Sequence, residues 1–488
     1  MYADEERIPV VIAAGQVTER EGEPAAIELA ERAGRIALEQ APGLDRQVDR
    51  VTVVSIMSPV PPSPAGYLAA QLGLTPAVHE TSSVGGNTPQ WMVNRAAADI
   101  AAGALRATLI VGAETQFAVR RRPEPPPHPT DREPDTIVGE DKPGVSEQEL
   151  AIRLALPAHV YPMLESARAH RAGRDLQAHR DHLGTVMAPF TEVAAKHPHA
   201  WFPEARSAAE IATPTSNNRI IAEPYTKLMN AFPSVNQAAA LLVTSLAAAR
   251  AAGVADRAVF VWAGAQATDV WYPVQRPDLG SSPGIDTAVR ATLAAAGVGV
   301  DDLSAFDLYS CFPAPVQMAL ETLGISPDDQ RRATVTGGLP YFGGPGNNYV
   351  SHSIATMVDT LRGSGGLGLV TGLGWYVTKH AAGIYGTTPP PEGFRPGDTV
   401  AAQQAIDDSA LPLLSSYDGE ATVAGATVVY DKNDGGVRTA PVYATTPDGQ
   451  RVAAAAAEGQ LASLAGRNLV GARVRISGTP PTYEVVSA

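Results

Sequence analysis

The amino-acid sequence predicts an α/β protein built from two copies of one strand–loop–helix–strand unit, followed by a small β domain. Residues 84–112 place a Gly-rich loop before a helical run and an apolar strand, and residues 343–372 repeat that order at similar spacing. Residues 51–57 form an apolar run rich in β-branched side chains, which is typical of a strand covered on both faces. Strands that alternate with helices predict a parallel sheet between helical layers. The two Gly-rich loops are expected to meet at one site.

The composition argues against a nucleic-acid-binding, membrane-spanning or disulfide-bonded protein. The chain has 488 residues, of which 44% are hydrophobic and 18% charged, and it has room for roughly two to four domains. A formal net charge of −14 argues against nucleic-acid binding, which requires concentrated Lys and Arg. No apolar run approaches the ~20 residues of a membrane helix, and the first residues lack the pattern of a signal peptide. With Cys311 as the single cysteine, neither a disulfide nor a cysteine metal cluster is expected, and a cytoplasmic location is predicted.

Hydrophobic patterns predict the elements of the first half. Strands are predicted at residues 7–15, 51–57, 78–84 and 109–111, and helices at 24–41, 65–72 and 88–102. Residues 119–146 are rich in Pro, Arg and acidic residues and are predicted as a solvated loop. The next stretch has no strand alternation and is predicted as a helical insertion, with helices at 147–153, 162–172 and 175–196. A loop, an Ala-rich helix and a returning strand are predicted at 225–236, 237–252 and 258–263.

The remaining chain predicts a second α/β half and then a different architecture. Helices are predicted at residues 285–296, 313–323 and 349–361, and strands at 305–309 and 367–371. Residues 387–399 have the composition of a linker. Beyond it, short strands are predicted at 419–430, 437–446, 451–457 and 474–486. Their turns contain Asp-Gly pairs, which favour hairpins, so a small OB-like β-barrel is expected, with its tyrosines in the core or at the barrel ends.

Residues 5–386 resemble the thiolase superfamily, and most closely its sterol-carrier-protein-type thiolases and actinobacterial thiolase-like acetyl-CoA acetyltransferases. The resemblance lies in the order and spacing of the Gly-rich loops and in the stretches 197–201, 221–227 and 236–240 (HPHAW, IAEPYTK and NQAAA). Several of those proteins carry an extra C-terminal β domain. The resemblance implies a duplicated, five-layered fold, a coenzyme A thioester as substrate or ligand, and neither a metal nor a tightly bound cofactor.

The expected domain organisation follows from that resemblance. The N-terminal half would comprise residues 1–120 and 236–270, the mostly helical loop domain 121–235, and the C-terminal half 271–386. A linker, 387–399, would lead to the β domain, 400–488.

When the thiolase motifs are matched to this sequence residue by residue, none of the three catalytic residues is present. Gly86 matches the nucleophilic cysteine, Gly344 the histidine that activates it, and Val370 the second cysteine. Chemistry through an acyl-cysteine needs a thiolate and a base within hydrogen-bond reach, so ordinary thiolase activity is not expected. The backbone of Gly86, Gly344 and Gly372 is expected to supply an oxyanion hole, which needs main-chain N–H groups only.

Polar side chains near the loops are the candidate catalytic residues: Tyr309, Ser310, Cys311, Tyr341 and His352. Cys311 is either a nucleophile or a small buried core residue, and Tyr309 is either an acid/base or a tyrosine bonded to backbone at a strand end. Tyr341 and His352 have the same two alternatives, catalytic or structural. His380 is assigned no role.

The resemblance also implies where coenzyme A binds and what the protein does. Arg206, Arg219 and Lys227 in the helical insertion are the candidate phosphate contacts, and surface charge without a ligand is the alternative for each. The expected function is action on a C–C bond β to a CoA thioester. The alternatives are a catalytically silent CoA-binding or assembly protein, a retro-aldolase on 3-hydroxyacyl-CoA and, more weakly, a condensing enzyme. Either a homodimer through residues 80–88 or a monomer is compatible, and the β domain could dock a partner.

Overall fold

The computed structural model describes residues 4–121 and 133–487. The first half contains β1 (Pro9–Thr18), α1 (Ala26–Glu39), β2 (Val48–Val53), α2 (Pro64–Gln71), β3 (Val78–Ser82), α3 (Thr88–Ala101) and β4 (Ala107–Thr115). The insertion then contains α4 (Gln116–Val119), β5 (Thr136–Val138), α5 (Glu147–Ala151), α6 (Pro157–Arg171), α7 (Leu176–Ala194), α8 (Ala208–Ala212), β6 (Ile220–Ala222) and β7 (Tyr225–Thr226). The chain returns through β8 (Asn236–Ser245), α9 (Leu246–Ala251) and β9 (Val259–Thr268).

The second half repeats the pattern and leads into the C-terminal region. It contains α10 (Pro283–Ala296), β10 (Leu303–Asp307), α11 (Pro313–Leu323), α12 (Tyr349–Ser364), β11 (Leu367–Gly374) and β12 (Lys379–Gly386). The C-terminal region contains β13 (Arg395–Pro396), α13 (Val400–Asp408), β14 (Leu413–Leu414), β15 (Gly419–Ala426), β16 (Val429–Tyr430), β17 (Val437–Thr439), β18 (Pro441–Thr445), β19 (Arg451–Ala456), β20 (Arg473–Ser477) and β21 (Thr482–Ser487).

The two halves share one topology, which confirms the predicted duplication. The main sheet runs in the order β10-β11-β12-β9-β1-β8-β4-β2-β3-β5, with β13 beside β9. The order β2-β4-β8-β1 of the first half therefore has its counterpart in β10-β11-β12-β9. The halves join where β1 meets β9 over two residue pairs. Helices α3 and α12 contact strands of both halves and lie between them, while α1 packs on the first half and α10 on the second. The result is the expected five-layered α/β arrangement.

Two predictions about this sheet are wrong. It is mixed rather than parallel, because β8 runs antiparallel to β1 and β4, and β12 antiparallel to β9 and β11. The helix predicted at 237–252 is mostly strand β8, followed only by the short α9. Every residue of β8 is buried. A continuous run of small apolar side chains fits a doubly covered strand as well as a buried helix, so the pattern alone did not separate them.

Other boundaries also differ from the predictions. The predicted loop at 225–236 begins with β7 and a 3-10 turn, Lys227–Met229. The linker is followed by helix α13, which was not predicted. The predicted solvated loop includes Arg122 and Pro125–Pro127, which lie outside the described residues. Its described end forms β5, which pairs along Glu80–Ser82 of β3.

The C-terminal region contains a closed five-stranded barrel, which confirms the predicted small β-barrel. Its strands pair in the order β19-β18-β15-β20-β21, and β19 pairs with β21 to close the ring. Tyr483 belongs to the barrel core, as expected, whereas the Tyr443 hydroxyl leaves the barrel to donate to Glu149 of the insertion, 2.5 Å away. A second tie joins Glu223 to Tyr430, and β16 pairs with β6. The barrel is therefore bonded into the rest of the fold.

A buried carboxylate ties the insertion to the second half. Glu165 on α6 is fully buried and accepts hydrogen bonds from three elements: His179 Nε2 at 2.8 Å, Tyr225 Oη at 2.6 Å and Gln317 Nε2 at 3.0 Å. Buried charges persist where hydrogen bonds satisfy them, and here those bonds fix α7, β7 and α11 around one point.

In the part of the chain that the structure describes, no helix combines the length and the apolar character needed to cross a membrane.

Candidate functional site

The hydroxyl of Tyr309 occupies the space beside Gly86. A Cβ at position 86 would lie 2.2 Å from Tyr309 Oη and 2.6 Å from the carbonyl oxygen of Leu373. Tyr309 is 7% exposed, and its backbone N–H donates to Thr371 Oγ1 over 2.9 Å. Burial raises the pKa of Tyr309 well above its ordinary value, and the neighbouring Cys311 and Tyr349 raise it further. The hydroxyl is therefore protonated at neutral pH, and it can donate a hydrogen bond but is a poor base.

The second Gly-rich loop has more space around its glycine, Gly344, than the first loop has around Gly86. Around Gly344 the nearest atoms to an added Cβ are 3.4 Å away, which is an ordinary contact. The Gly344 N–H donates to the carbonyl of Phe232 over 2.9 Å. Position 344 therefore has room for a side chain but no free N–H, so it cannot contribute to the predicted oxyanion hole as it stands.

Gly372 lies inside strand β11 and not in the expected turn. A Cβ there would approach the Cα of Asn87 to 2.9 Å, so Gly372 lets β11 pack directly against the backbone before α3. The part that Gly86 and Gly372 play in an oxyanion hole stays a prediction.

Cys311 has the environment of an unreactive thiol. It is buried, and desolvation raises its pKa to about 12, although the Tyr161 hydroxyl partly opposes the shift. The thiolate, not the thiol, is the nucleophile, so a thiol with this pKa is almost entirely inactive near neutrality.

Alkylation of Cys311 by iodoacetamide at pH 8 is therefore expected to be at least ~100-fold slower than that of a free thiol. The lower thiolate fraction outweighs the higher nucleophilicity of a more basic thiolate, and burial slows the reaction further. Because Cys311 is the single cysteine, mass spectrometry of the intact protein measures this rate directly. Denaturant should restore fast labelling. Fast labelling of the folded protein would return Cys311 to the list of candidate nucleophiles.

Ser310 and His352 are fully buried. Ser310 Oγ lies under the second loop, 2.8 Å from where a Cβ on Gly338 would stand. His352 Nδ1 bonds to Gln16 Oε1 at 2.8 Å, whereas its Nε2 has no partner among the described residues. Burial holds the pKa of His352 well below its ordinary value, and the neighbouring His199 and His197 lower it further, so the ring is neutral.

An aromatic series separates His352 from Tyr309. The rings of Tyr309 and Tyr349 are 5.8 Å apart, those of Tyr349 and Phe342 are 5.8 Å apart, and those of Phe342 and His352 are 5.1 Å apart, each edge to face. The structure therefore brings Tyr309, Ser310 and Cys311 to one place and holds His352 behind two intervening rings.

A hydrogen-bonded chain behind Tyr309 was missed by the sequence reasoning. The Tyr349 hydroxyl lies 2.5 Å from Thr336 Oγ1, which donates to the fully buried Asp307 Oδ2 over 2.9 Å. Asp307 ends β10 only two residues before Tyr309, so an acidic residue at the end of an apolar strand, beside a candidate catalytic residue, was the available signal.

The structure places two of the three predicted CoA contacts in one cleft. A cleft of about 630 Å³ in the insertion is lined by Arg206 and Lys227, and also by Tyr341 of the second loop. Tyr341 and Asn230 are among the lining residues, and their atoms Tyr341 Oη and Asn230 Oδ1 are buried without a hydrogen-bond partner in the described part of the chain. Arg219 is not among the lining residues, and its guanidinium donates to the carbonyl of Ile220 over 3.1 Å.

A second cleft adjoins the first Gly-rich loop and was not predicted. Asn87, Lys379 and His380 line it. His380, which had been assigned no role, is buried and bonded through Nε2 to Asp269 Oδ2 at 2.9 Å. The signal available in the sequence was two consecutive titratable residues in the strand after the second Gly-rich unit.

Comparison with known proteins yields clear structural relatives. No protein-family model matches the chain, and a search of curated proteins found no match. The crystal structure of a monomeric SCP2-thiolase-like protein, type 1, from Mycobacterium smegmatis is 32% identical, with 99% of each chain covered and a TM-score of 0.86. That match extends over the barrel as well as both halves.

Two further structures share the fold over a smaller part of the chain. An Ltp2–ChsH2(DUF35) aldolase matches at 20% identity, over 78% of this chain and 98% of that one, with a TM-score of 0.60. An acetyl-CoA acetyltransferase from Syntrophomonas wolfei matches at 15% identity, over 78% of this chain and 100% of that one, with a TM-score of 0.57. At these identities the likeness concerns the fold alone.

Proposed function

The chain belongs to the SCP2-thiolase-like proteins of the thiolase superfamily, and we propose that it binds acyl-CoA thioesters without acyl-cysteine chemistry. The observation that carries this proposal is the cleft that joins Arg206 and Lys227 to Tyr341. The positive charges of Arg206 and Lys227 suit the phosphates of coenzyme A, and Arg206 also pairs with Glu204 at 2.7 Å in the same cleft. The unpartnered Tyr341 hydroxyl and Asn230 amide oxygen suit the polar groups of the pantetheine arm, because buried polar groups usually have a hydrogen-bond partner.

The residues at the two Gly-rich loops support the absence of acyl-cysteine chemistry. Gly86 has no side chain, and the Tyr309 hydroxyl fills the space in which a nucleophile would stand. Cys311 is held as a neutral thiol and His352 lies behind aromatic rings. The group left to meet a thioester is the Tyr309 hydroxyl, which can donate a hydrogen bond to the thioester carbonyl.

Calorimetric titration with CoA tests the binding site. Lys227→Ala and Arg206→Ala are each expected to weaken binding by ~3- to 10-fold, the effect of losing one charge-assisted hydrogen bond to a phosphate near the surface. Arg219→Ala is the matched control, since its side chain lies outside the cleft, and it should leave the affinity unchanged. Equal effects of all three variants would place the nucleotide elsewhere, and no binding by the unaltered protein would remove the proposal.

Retro-aldol cleavage of a 3-hydroxyacyl-CoA is the second candidate, and the protonated Tyr309 hydroxyl at position 86 favours it. The C3 hydroxyl loses its proton to water as C3 becomes a carbonyl, and breaking of the C2–C3 bond leaves an enolate on the thioester. A neutral tyrosine can hydrogen-bond to the enolate oxygen, or protonate C2 and take a proton back from water. Chromatographic assay of a 3-hydroxyacyl-CoA should then show an acyl-CoA shortened by the released carbonyl compound. Tyr309→Phe should abolish that product. If the unaltered protein gives no product, the hypothesis of a catalytically silent CoA-binding protein remains.

The pairing of β5 with the edge of β3 favours a monomer. Thiolase dimers are expected to join along this edge, but β5 already pairs with Glu80–Ser82 of β3. Light scattering is expected to give the mass of one chain, and a dimer mass would show that another surface joins the subunits. A docking role for the barrel stays a prediction.

A further inference from the structure

The cleft beside the first Gly-rich loop has the features of an incomplete polar site. Its volume is about 390 Å³, and its lining includes Asn87, Trp91, Glu140, Trp271 and Lys379. It shares no lining residue with the cleft that holds Arg206 and Lys227. The inference drawn from it is therefore independent of CoA binding.

Two glycines leave the space that the Lys379 side chain occupies in this cleft. Its stem lies in a recess between Gly85 and Gly374, where an added Cβ would come within 2.8 Å and 3.1 Å of Cε respectively. The side chain is 7% exposed, and Nζ donates to the carbonyl of Val84. Within the described residues, no carboxylate lies within ion-pairing distance of Nζ.

The ammonium group of Lys379 is therefore short of partners. It has three donors but one hydrogen bond to the described residues, and a buried charge without a counter-ion is unfavourable. Desolvation lowers the pKa of Lys379 to about 8, against the raising influence of Glu140 and Asp141. The group is still mostly protonated at pH 7, so an anion would find a cation here.

Asn87 provides a second unmet group at the same place. It is buried, and its Oδ1 has no hydrogen-bond partner in the described chain. Oδ1 and Lys379 Nζ lie 2.5 Å and 2.9 Å from one common point, the position that a Cβ on Gly85 would take. The two atoms are therefore close neighbours, and one small ligand that bridges them would accept from the ammonium and donate to the amide oxygen.

We propose that this cleft binds a small hydroxymonocarboxylate, with the carboxylate on Lys379 and the hydroxyl donating to Asn87. Glu140 lines the same cleft and repels a second negative charge, which restricts the ligand to one carboxylate. Trp91 and Trp271 form apolar walls that suit a short carbon skeleton.

Titration of the full-length protein with sodium lactate and sodium 3-hydroxybutyrate tests the proposal, with binding followed by NMR or calorimetry at pH 7. Saturable binding of at least one of them is expected. The deoxy compounds propionate and butyrate should bind ~5-fold more weakly, because they leave Asn87 without a donor. Equal affinity for the hydroxy and deoxy compounds would overturn the assignment of Asn87.

Variants separate the site from general surface charge. Lys379→Met should weaken binding at least ~10-fold, and Lys432→Met, which removes an exposed lysine in the turn between β16 and β17, should not. Asn87→Asp keeps the shape but sets a negative charge beside the carboxylate, so it should also lose binding while the unfolding temperature shows that the protein is folded. No saturation by either hydroxycarboxylate up to ~50 mM, or unchanged affinity in Lys379→Met, would overturn the proposal.

Discussion

Gly86→Ala is expected to destabilise the protein by about 3 kcal/mol, whereas Gly344→Ala is expected to be neutral or slightly stabilising. The added Cβ at position 86 would stand 2.2 Å from the Tyr309 hydroxyl and 2.6 Å from the Leu373 carbonyl, so backbone as well as side chain must move. At position 344 the nearest atom is 3.4 Å away. Neither glycine has a positive φ, so the comparison isolates the available space, and alanine also reduces the entropy of the unfolded chain.

Thermal unfolding of both variants measures this difference. Gly86→Ala should cost less in a Tyr309→Ala background than in the unaltered protein, because the hydroxyl is then absent while the Leu373 carbonyl stays in place. A Gly86→Ala protein as stable as the unaltered one would show that Tyr309 moves aside easily. The nucleophile position would then be open, and the argument against chemistry at Gly86 would fail.

Glu165→Ala is expected to destabilise the protein by ~3–5 kcal/mol, because three buried hydrogen-bonding groups lose this acceptor and a nearby buried arginine loses a negative charge. Those groups are His179, Tyr225 and Gln317, and Arg168 Nε lies 3.9 Å from the carboxylate. Glu192→Ala is the control, since Glu192 is half exposed in its pair with Arg332 and should contribute less than ~1 kcal/mol.

Urea unfolding followed by circular dichroism provides both free energies of unfolding. Equal effects of the two glutamate substitutions would mean that the buried carboxylate does not hold the insertion to the second half. Helices α7 and α11 and strand β7 would then lack the common anchor that the carboxylate provides.

The sequence predicted the architecture where the pattern had one physical interpretation. The amphipathic helices α1 and α10 and the Gly-rich loops before α3 and α12 were predicted within a few residues of their observed positions. In the β domain, only β19 matches one predicted strand. The strands predicted at 419–430, 437–446 and 474–486 are each two strands. Strand β8 was not predicted, because its buried Ala-rich run has no alternation to distinguish strand from helix. Helix α13 was missed because the Pro- and Gly-rich segment before it indicated only a linker.

The candidate site was predicted in part. Motif order placed Arg206, Lys227 and Tyr341 among the relevant residues, and the structure brings those three together. No local pattern shows that Tyr309 fills the space at Gly86, since that contact joins the two halves of the duplication. The recess for Lys379 is also made by glycines from two distant segments, Gly85 and Gly374. Such contacts follow from packing between layers, which periodicity within one element does not encode.

One measurement tests the central claim, that the protein binds acyl-CoA without acyl-cysteine chemistry. Purified protein is incubated with acetoacetyl-CoA and free CoA, and the protein-bound and free fractions are separated by ultrafiltration and analysed by chromatography. We expect acetoacetyl-CoA to be retained with the protein and recovered unchanged, with no acetyl-CoA formed above the protein-free control. Conversion to acetyl-CoA at an enzymatic rate would contradict the missing nucleophile, and failure to retain any CoA ester would contradict the binding cleft.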